Sequence, residues 1–278
     1  MAEQIAFLTT IFPMKEEYLY DFFNSLNNQT FKDFDLVVLN DNYPNFDLIR
    51  KQFKSLRIKE IMVSDTPLRN RQCGMDFVKA SNYDIIIFGD SDDYFSRNRV
   101  EVTVKKLKSY DMVVNDLSVF NADEIYEEKY FSNRIKNNAE ITIDFIKDKN
   151  IFGMSNTALR VKHMGNIFYD PELIALDWYI FSLALLNSGL AVFTDEAETF
   201  YRQHDKNTVG IGRLNKEIFC RGIGIKLKHY ELLSKEYKQF RSLYKEMHTL
   251  NKKVRSFGVS DTSLQGRDPY PFWWEEIK

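Results

Sequence analysis

The sequence is poor in the residues that build disulfide scaffolds and metal knuckles. Among 278 residues there are 2 cysteines, Cys73 and Cys220, and 4 histidines. Two thiols without Cys-x-x-Cys spacing form neither a disulfide framework nor a zinc knuckle, and they suit a reducing, cytoplasmic setting. An excess of charge of one sign is also missing. Lys and Arg number 38 against 40 Asp and Glu, for a net charge of -2. A general nucleic-acid binder carries a clear basic excess, so no nucleic-acid partner is expected. No uncharged apolar run reaches about 18 residues, so no transmembrane helix is expected. Met1-Ala2-Glu3-Gln4 leads straight into an apolar segment, and no secretory leader is expected. Neither Gly-x-x-x-x-Gly-Lys-Ser/Thr nor Gly-x-Gly-x-x-Gly occurs, which leaves a P-loop NTPase or a dinucleotide oxidoreductase without support.

What is present is apolar material, 44% hydrophobic and 15% aromatic residues, enough for a packed core. The first half alternates two periodicities. Short apolar runs at 5–11, 35–39, 58–63 and 83–88 read as strands, and 16–26, 45–56 and 71–80 have helical spacing, with Asn45 as N-cap of the second. The unbroken Ile85-Ile86-Ile87-Phe88 centre predicts a strand covered on both faces, the mark of a parallel sheet wrapped by helices. Ligands of such sheets lie beyond the carboxyl ends of the strands. Further on, the pattern predicts helices over 98–109, 141–147 and 173–187, and strands over 112–120, 156–161 and 191–202. Residues 123–138 read as a charged, polar insertion, and 213–255 as a long helical stretch, one helix or two. That stretch holds twelve Lys and Arg against four Asp and Glu, so the remainder is correspondingly acidic. Residues 256–271 are turn-rich, and Phe272-Trp273-Trp274 follows.

Chemistry concentrates in Gly89-Asp90-Ser91-Asp92-Asp93, at the end of the most apolar strand. Three carboxylates in four positions repel one another and are costly to hold without a cation. Asp90 and Asp92 can aim at one site, and dense oxygen ligands suit Mg²⁺ or Mn²⁺. The plain alternative is a solvated turn whose carboxylates cap the next helix. A calcium EF-hand loop starting at Asp90 fails, because its sixth position is Phe95 where glycine is needed.

Six segments in order then resemble the inverting family 2 glycosyltransferases. They are Ser25-Leu26-Asn27-Asn28-Gln29-Thr30-Phe31, the strand Phe34 to Asp41, Arg69-Asn70-Arg71, Phe88 to Asp93, Leu176-Asp177-Trp178, and Tyr201-Arg202-Gln203-His204 with the loop after it. The resemblance covers about residues 4 to 212. It implies a GT-A fold, a Rossmann-like, mixed but mostly parallel α/β sheet flanked by helices. Residues 1–212 would form that domain, and 213–278 a basic helical extension with an aromatic tail.

The resemblance also implies roles. Thr9 and Asp41 would contact the nucleoside, Asp41 at the base. Arg69 and Asn70 would lie near the base or diphosphate. Asp90 would meet the ribose or the metal, with Ser91 beside it among the donor-binding residues. Asp92 and His204 would ligate Mn²⁺ or Mg²⁺, Lys206 would meet the diphosphate, and Gly153 would approach the donor sugar. Asp177 would be the catalytic base. The implied reaction moves a hexosyl or N-acetylhexosaminyl group from a nucleotide-diphospho-sugar, by default a UDP-sugar, to a saccharide, lipid-linked or protein hydroxyl, in surface polysaccharide or glycoconjugate synthesis. Three departures stand out: Leu176 where the family has Glu, Asn42-Tyr43-Pro44-Asn45 where a Gly-Ser-Thr turn is common, and no Gln-x-x-Arg-Trp motif of processive members.

Two other classes compete. A nucleotidyltransferase would show a Gly-rich basic loop after the first strand, and Thr9-Thr10-Ile11-Phe12-Pro13 has none. A non-catalytic carbohydrate- or partner-binding relic draws support only from Leu176. His163, His229 and His248 read as surface or packing histidines. The basic stretch reads as a solvated helix face, or alternatively as a peripheral contact with anionic membrane lipid. Trp273 and Trp274 are expected to pin the tail to the core, or otherwise to cover the acceptor cleft or sit at a membrane interface.

Overall fold

The computed structural model describes residues 3–121, 124–187, 189–204, 214–260, 264 and 268–278, without the side chain at 126. Its framework is one mixed sheet. The strands are β1 (Ile5–Ile11), β2 (Asp35–Asp41), β3 (Arg57–Val63), β4 (Ile85–Phe88), β5 (Tyr94–Phe95), β6 (Met112–Phe120), β7 (Ile125–Glu127), β8 (Glu140–Ile141), β9 (Thr157–Arg160) and β10 (Ala191–Arg202). The order is β3-β2-β1-β4-β9-β6-β10-β5, with β7 on β6 and β8 on β10. Strands β1 to β4 pair in parallel, as do β6 and β10. Strand β9 runs antiparallel to both β4 and β6 and joins the two parallel groups.

The alternation of side chains explains why the central strands are apolar throughout. Ile5, Phe7, Leu36, Val38, Ile85 and Ile87 fill one core, and Ala6, Leu8, Val37, Leu39, Ile86 and Phe88 the other, on the opposite face. Helix α1 (Glu16–Asn27) buries Tyr18, Leu19, Phe22, Phe23 and Leu26, the helical stripe that the spacing predicts. Helix α3 (Pro67–Ala80) starts earlier than the pattern suggests. Thr66 accepts from the Arg69 N–H as N-cap and Pro67 takes the first position, so Arg69 and Asn70 lie inside its first turn. Helix α2 (Phe46–Gln52) differs in its start. Asn45 makes no side-chain cap bond and stands in the left-handed region at φ 58°, where asparagine is tolerated.

Residues 124–138 are not a solvated excursion. Tyr130, Phe131 and Ile135 are buried, and the Asp116 carboxylate accepts from the Phe131 N–H at 2.8 Å. After α4 (Arg99–Lys106), α5 (Ile143–Ile146) and α6 (Leu176–Leu186), the 213–255 stretch resolves into two helices, α7 (Lys216–Glu236) and α8 (Arg241–Phe257). They form a hairpin through a short turn. Phe219, Ile223 and Tyr230 of α7 join the core that contains α6. His229 is a packing histidine, stacked on Trp178 with ring centroids 3.8 Å apart, and burial holds its pKa well below the ordinary value.

Residues 268–278 cross back and are pinned at several points. Phe272 is buried against Phe131 and Phe145. The Asn150 N–H donates to the Trp273 carbonyl, the Tyr130 hydroxyl to the Pro271 carbonyl, and the buried Lys226 ammonium to the Ile277 carbonyl, each at 2.9 Å. Trp273 is partly buried and packs its ring against Phe131 and Tyr201 at the edge of the core, in line with the first of the roles expected for it.

Gly89 ends β4 where there is no room for a side chain. A Cβ there would meet the Phe7 ring at 2.5 Å and the Phe95 ring at 2.8 Å. The Arg99 guanidinium stacks 4.2 Å from the Phe95 ring centroid, so displaced rings would also move that cation. Gly89→Ala is expected to cost about 1–3 kcal/mol of stability, read as a lowered urea midpoint with an unchanged slope.

Candidate active site

The carboxyl ends of β1, β2 and β4 converge, and each brings residues singled out from the sequence. Thr9 lies near the end of β1, buried, with a hydroxyl that has no hydrogen-bond partner among the described residues. Asp41 ends β2. Its carboxylate accepts from the Asn70 side-chain amide at 2.9 Å and from that of Asn42 at 3.1 Å. Asn70 is 1% exposed and also donates to the Asp65 carbonyl, so the start of α3 is tied to the end of β2. Arg69 is exposed and turns along the helix to Gln72 at 2.5 Å.

The acidic turn follows β4. Ser91 is turned into the protein, and its hydroxyl donates to the Thr10 carbonyl at 2.6 Å. That bond uses the hydroxyl proton to join the turn to β1, so the side chain holds the turn rather than facing the cleft. Asp90 pairs with Arg71 at 3.3 Å, and desolvation raises its pKa against the pull of that cation. Asp93 is buried, and burial with the neighbouring Asp92 and Asp90 charges lifts its pKa well above the usual carboxylate range. Its Oδ1 accepts from the Arg202 N–H at 2.7 Å.

Asp92 makes the contact that brings distant chain together. Its Oδ2 lies 2.9 Å from His204 Nε2, across 112 residues of sequence. The His204 ring stacks on Tyr18 of α1. Arg202 braces the pair from below. Its Nε donates to the Asp92 carbonyl at 2.8 Å and its Nη2 to Asp21 at 2.6 Å, with its plane over Tyr18 and Phe120.

Asp177 stands in the first turn of α6, and its Oδ1 accepts from the Trp178 N–H at 2.7 Å. Desolvation pushes its pKa up to about 6, and Asp90 adds to the rise, while the Trp178 N–H and the Arg71 charge oppose it. Arg71 therefore acts on Asp90 and Asp177 together. Gly153 lies under the tail. Its N–H donates to Asn156 Oδ1 at 2.7 Å, and a Cβ there would stand 3.1 Å from the Trp273 ring. Lys206 lies outside the described residues.

Among the described residues, no three His, Cys, Asp or Glu side chains sit together as a metal cage. The expected third ligand, Asp90, faces Arg71 instead, and the assembled pair is Asp92 with His204. A carboxylate beside an imidazole still fits Mn²⁺ or Mg²⁺. These ions are commonly held by one or two protein ligands, with substrate phosphates supplying the rest.

Three site residues escaped the sequence reading. Arg71 was visible only as part of an Arg-Asn-Arg run. Arg202 stood unassigned beside His204. Arg99, fully buried, donates through Nη2 to the Phe88 carbonyl at 2.6 Å and through Nε to Asn115 at 3.0 Å. Burial lowers its pKa to about 9, while Asp93 and Asp90 oppose that fall. It is the cation beneath the acidic turn. No motif marks it, and an arginine opening an amphipathic helix reads as surface.

The structure and sequence were compared with known proteins. No curated protein matches the sequence. Among solved structures, S. aureus TarS 1–349 in complex with UDP-GlcNAc superposes with a TM-score of 0.63 at 17% identity, over 95% of this chain and 76% of that one. The same protein in complex with UDP gives 0.58 at 14% identity, over 99% and 100%. GalNAc-T7 with UDP, GalNAc and Mn²⁺ gives 0.57 at 13% identity, over 91% and 54%. These likenesses establish the GT-A fold. The sequence profile of glycosyl transferase family 2 matches residues 10–170, more than half of the chain. The chain belongs to glycosyl transferase family 2 and is a glycosyltransferase.

Proposed function

We propose that this glycosyltransferase moves a sugar from a UDP-sugar to a hydroxyl acceptor, with inversion, in a reaction that needs Mn²⁺ or Mg²⁺. The observation that carries the reading is the meeting of Asp92 and His204 at 2.9 Å, with a further carboxylate, Asp177, of raised pKa within the field of Asp90 and Arg71. The first pair suits a cation that grips a diphosphate. The other suits a base. The structural neighbours that hold UDP-GlcNAc, or UDP with Mn²⁺, support a uridine donor and a divalent ion.

In this reading Asp41 and Asn70 hold the base, and Thr9 offers its unpartnered hydroxyl to the nucleoside. Asp90 and Arg71 meet the ribose and diphosphate, the backbone of Ser91 completes that wall, and Arg69 and Lys206 add positive charge. Gly153 keeps the sugar side open. The acceptor hydroxyl oxygen attacks the anomeric carbon, its proton passes to the Asp177 carboxylate, and the bond to the diphosphate oxygen breaks with its electron pair leaving on the diphosphate. Asp92 and His204 would hold the divalent ion, whose charge would offset the one developing on the diphosphate. One displacement inverts the anomeric centre, and no side chain is needed as covalent nucleophile.

Residues 1–212 carry this chemistry, and 213–278 buttress it through α7 and the tail. Two free, exposed thiols accord with a reducing, cytoplasmic location. No described helix is long and apolar enough to cross a membrane. The acceptor is a saccharide, lipid-linked or protein hydroxyl of a surface polysaccharide or glycoconjugate.

The test is thermal unfolding with nucleoside diphosphates, with and without Mn²⁺. A ligand that binds only the native state at 100 times its dissociation constant stabilises it by about 2.7 kcal/mol. UDP with Mn²⁺ is expected to raise Tm by several degrees, more than UDP or Mn²⁺ alone. No shift with any nucleoside diphosphate and Mn²⁺ would remove the donor reading.

A further inference from the structure

The basic character of the 213–255 stretch is not evenly distributed over its two helices. On α7, Lys226 is buried against the tail. Lys228 is held by Asp170, Glu172 and Glu231, and Lys235 by Glu231, while the exposed Lys216 and Arg221 form no ion pair with an acidic side chain among the described residues. On α8 and the turn before it every cation is unpaired in this way. Lys238, Arg241, Lys245, Lys252, Lys253 and Arg255 form no ion pair with an acidic side chain among the described residues, and the α8 cations are all exposed. Glu246 is the single acid of α8.

The apolar stripe of the same helix is used up only in part. Leu243, Met247, Leu250 and Val254 pack inward, toward the core. Phe257 continues the stripe one turn later and is 86% exposed. At the same open end of the hairpin, in the first turn of α7, Ile218 is 42% exposed. Two apolar side chains therefore stand beside Lys252, Lys253 and Arg255.

We propose that the outer face of α8, led by Phe257 and the Lys252–Lys253–Arg255 cluster, docks the enzyme on an anionic lipid surface. Unpaired cations with an exposed aromatic fit a headgroup layer, in which charge is drawn to anionic lipid and a phenyl ring inserts at the acyl boundary. The charge distribution supports one orientation. The chain is close to neutral in total, yet this stretch is strongly basic and the rest acidic. An anionic surface attracts α8 and repels the remainder.

The experiment is co-sedimentation of the full chain with phosphatidylcholine vesicles holding either no phosphatidylglycerol or 30 mol% of it, at 0.1 M salt. Wild type is expected on the anionic vesicles only, and to leave them at 0.5 M salt as screening shortens the electrostatic range. Each surface cation contributes roughly a fivefold factor in partitioning. The triple reversal K252E/K253E/R255E is therefore expected to lower binding at least tenfold, and Phe257→Ser to lower it severalfold. Donor hydrolysis in vesicle-free solution serves as the folding control and is expected to stay unchanged in both variants. Three results would each overturn the proposal: wild type absent from anionic vesicles, equal binding to neutral ones, or a triple variant that binds like wild type. Soluble polyphosphate binding wild type as tightly as the vesicles do would also overturn it, by assigning the face to polyanions in solution.

Discussion

Asp177→Asn is expected to lower transfer by about 10²–10⁴-fold, the usual worth of a positioned general base, while the Mn²⁺-dependent thermal shift with UDP is expected to persist. The wild-type rate depends on pH with a definite sign. A base acts in its ionised form, and the Asp177 pKa is about 6. The rate therefore rises with pH through that value and levels off above it. The asparagine variant keeps whatever residual rate it has without that acidic limb. An Asp177→Asn enzyme with wild-type turnover would take the residue out of the mechanism.

The same substitution has an opposite effect on stability. The folded-state pKa of Asp177 stands above the ordinary carboxylate value of 3.8. Its contribution to stability is therefore fully present below that ordinary value and is lost as pH rises through the folded one. At pH 7.5 the wild type holds an ionised carboxylate in a desolvated place. An amide removes that charge and can still accept from the Trp178 N–H. Asp177→Asn is expected to melt higher at pH 7.5, by roughly 2–4 °C per kcal/mol regained in a chain of this size class, with the gain shrinking toward pH 4. A more stable but inactive variant would mark strain held for catalysis rather than for folding.

The second large effect belongs to Asp92. Asp92→Asn keeps the shape of the turn, because Arg202 bonds to the Asp92 carbonyl and not to its carboxylate. It removes the charge that faces His204. Turnover is expected to fall by about 10²–10³-fold or more, the scale of losing one group that stabilises the leaving charge. Unlike the Asp177 variant, it is expected to lose the extra Tm rise that Mn²⁺ gives with UDP. Retention of that metal-dependent rise in Asp92→Asn would separate the cation from this turn. The two variants thus divide the site into a donor side and an acceptor side by a measurement that needs no acceptor.

The central strands were readable because β1, β2, β4 and β6 are buried on both faces, which leaves an uninterrupted apolar word such as Ile85-Ile86-Ile87-Phe88 in the sequence, whereas the edge strand β3 is only half-buried. The acidic turn was readable for the opposite reason, since three carboxylates side by side need an explanation. Strand direction left no such trace. Nothing local distinguishes the antiparallel β9 from its parallel neighbours, because direction is set by where the chain returns. The start of α3 did carry a signal, Thr66-Pro67, a cap followed by proline. Asn45 carried the same kind of signal and took a left-handed turn instead, because capping residues also serve turns. Residues 123–138 misled by their charge. Tyr130 and Phe131 are buried there because β6 and Asp116 hold their backbone and the tail brings Tyr270, Phe272 and Trp273 to meet their rings. The site's cations were the least readable. Arg71, Arg99 and Arg202 gain meaning only from Asp90, Asp93 and Asp92, which lie far from two of them in sequence.

The reversed strand β9 has a consequence for how the molecule assembles. On one side of it, β1 to β4 connect by short successive crossovers. On the other, Met112 pairs with Ala191, so closing that register means ordering the whole intervening chain. Loop-closure entropy therefore falls unequally on the two sides. Strands β1 to β4 can find one another early, while the β6–β10 pair closes a much longer loop and joins the first group through β9. The Asp92–His204 contact spans 112 residues of sequence and is therefore expected among the last long-range contacts of folding.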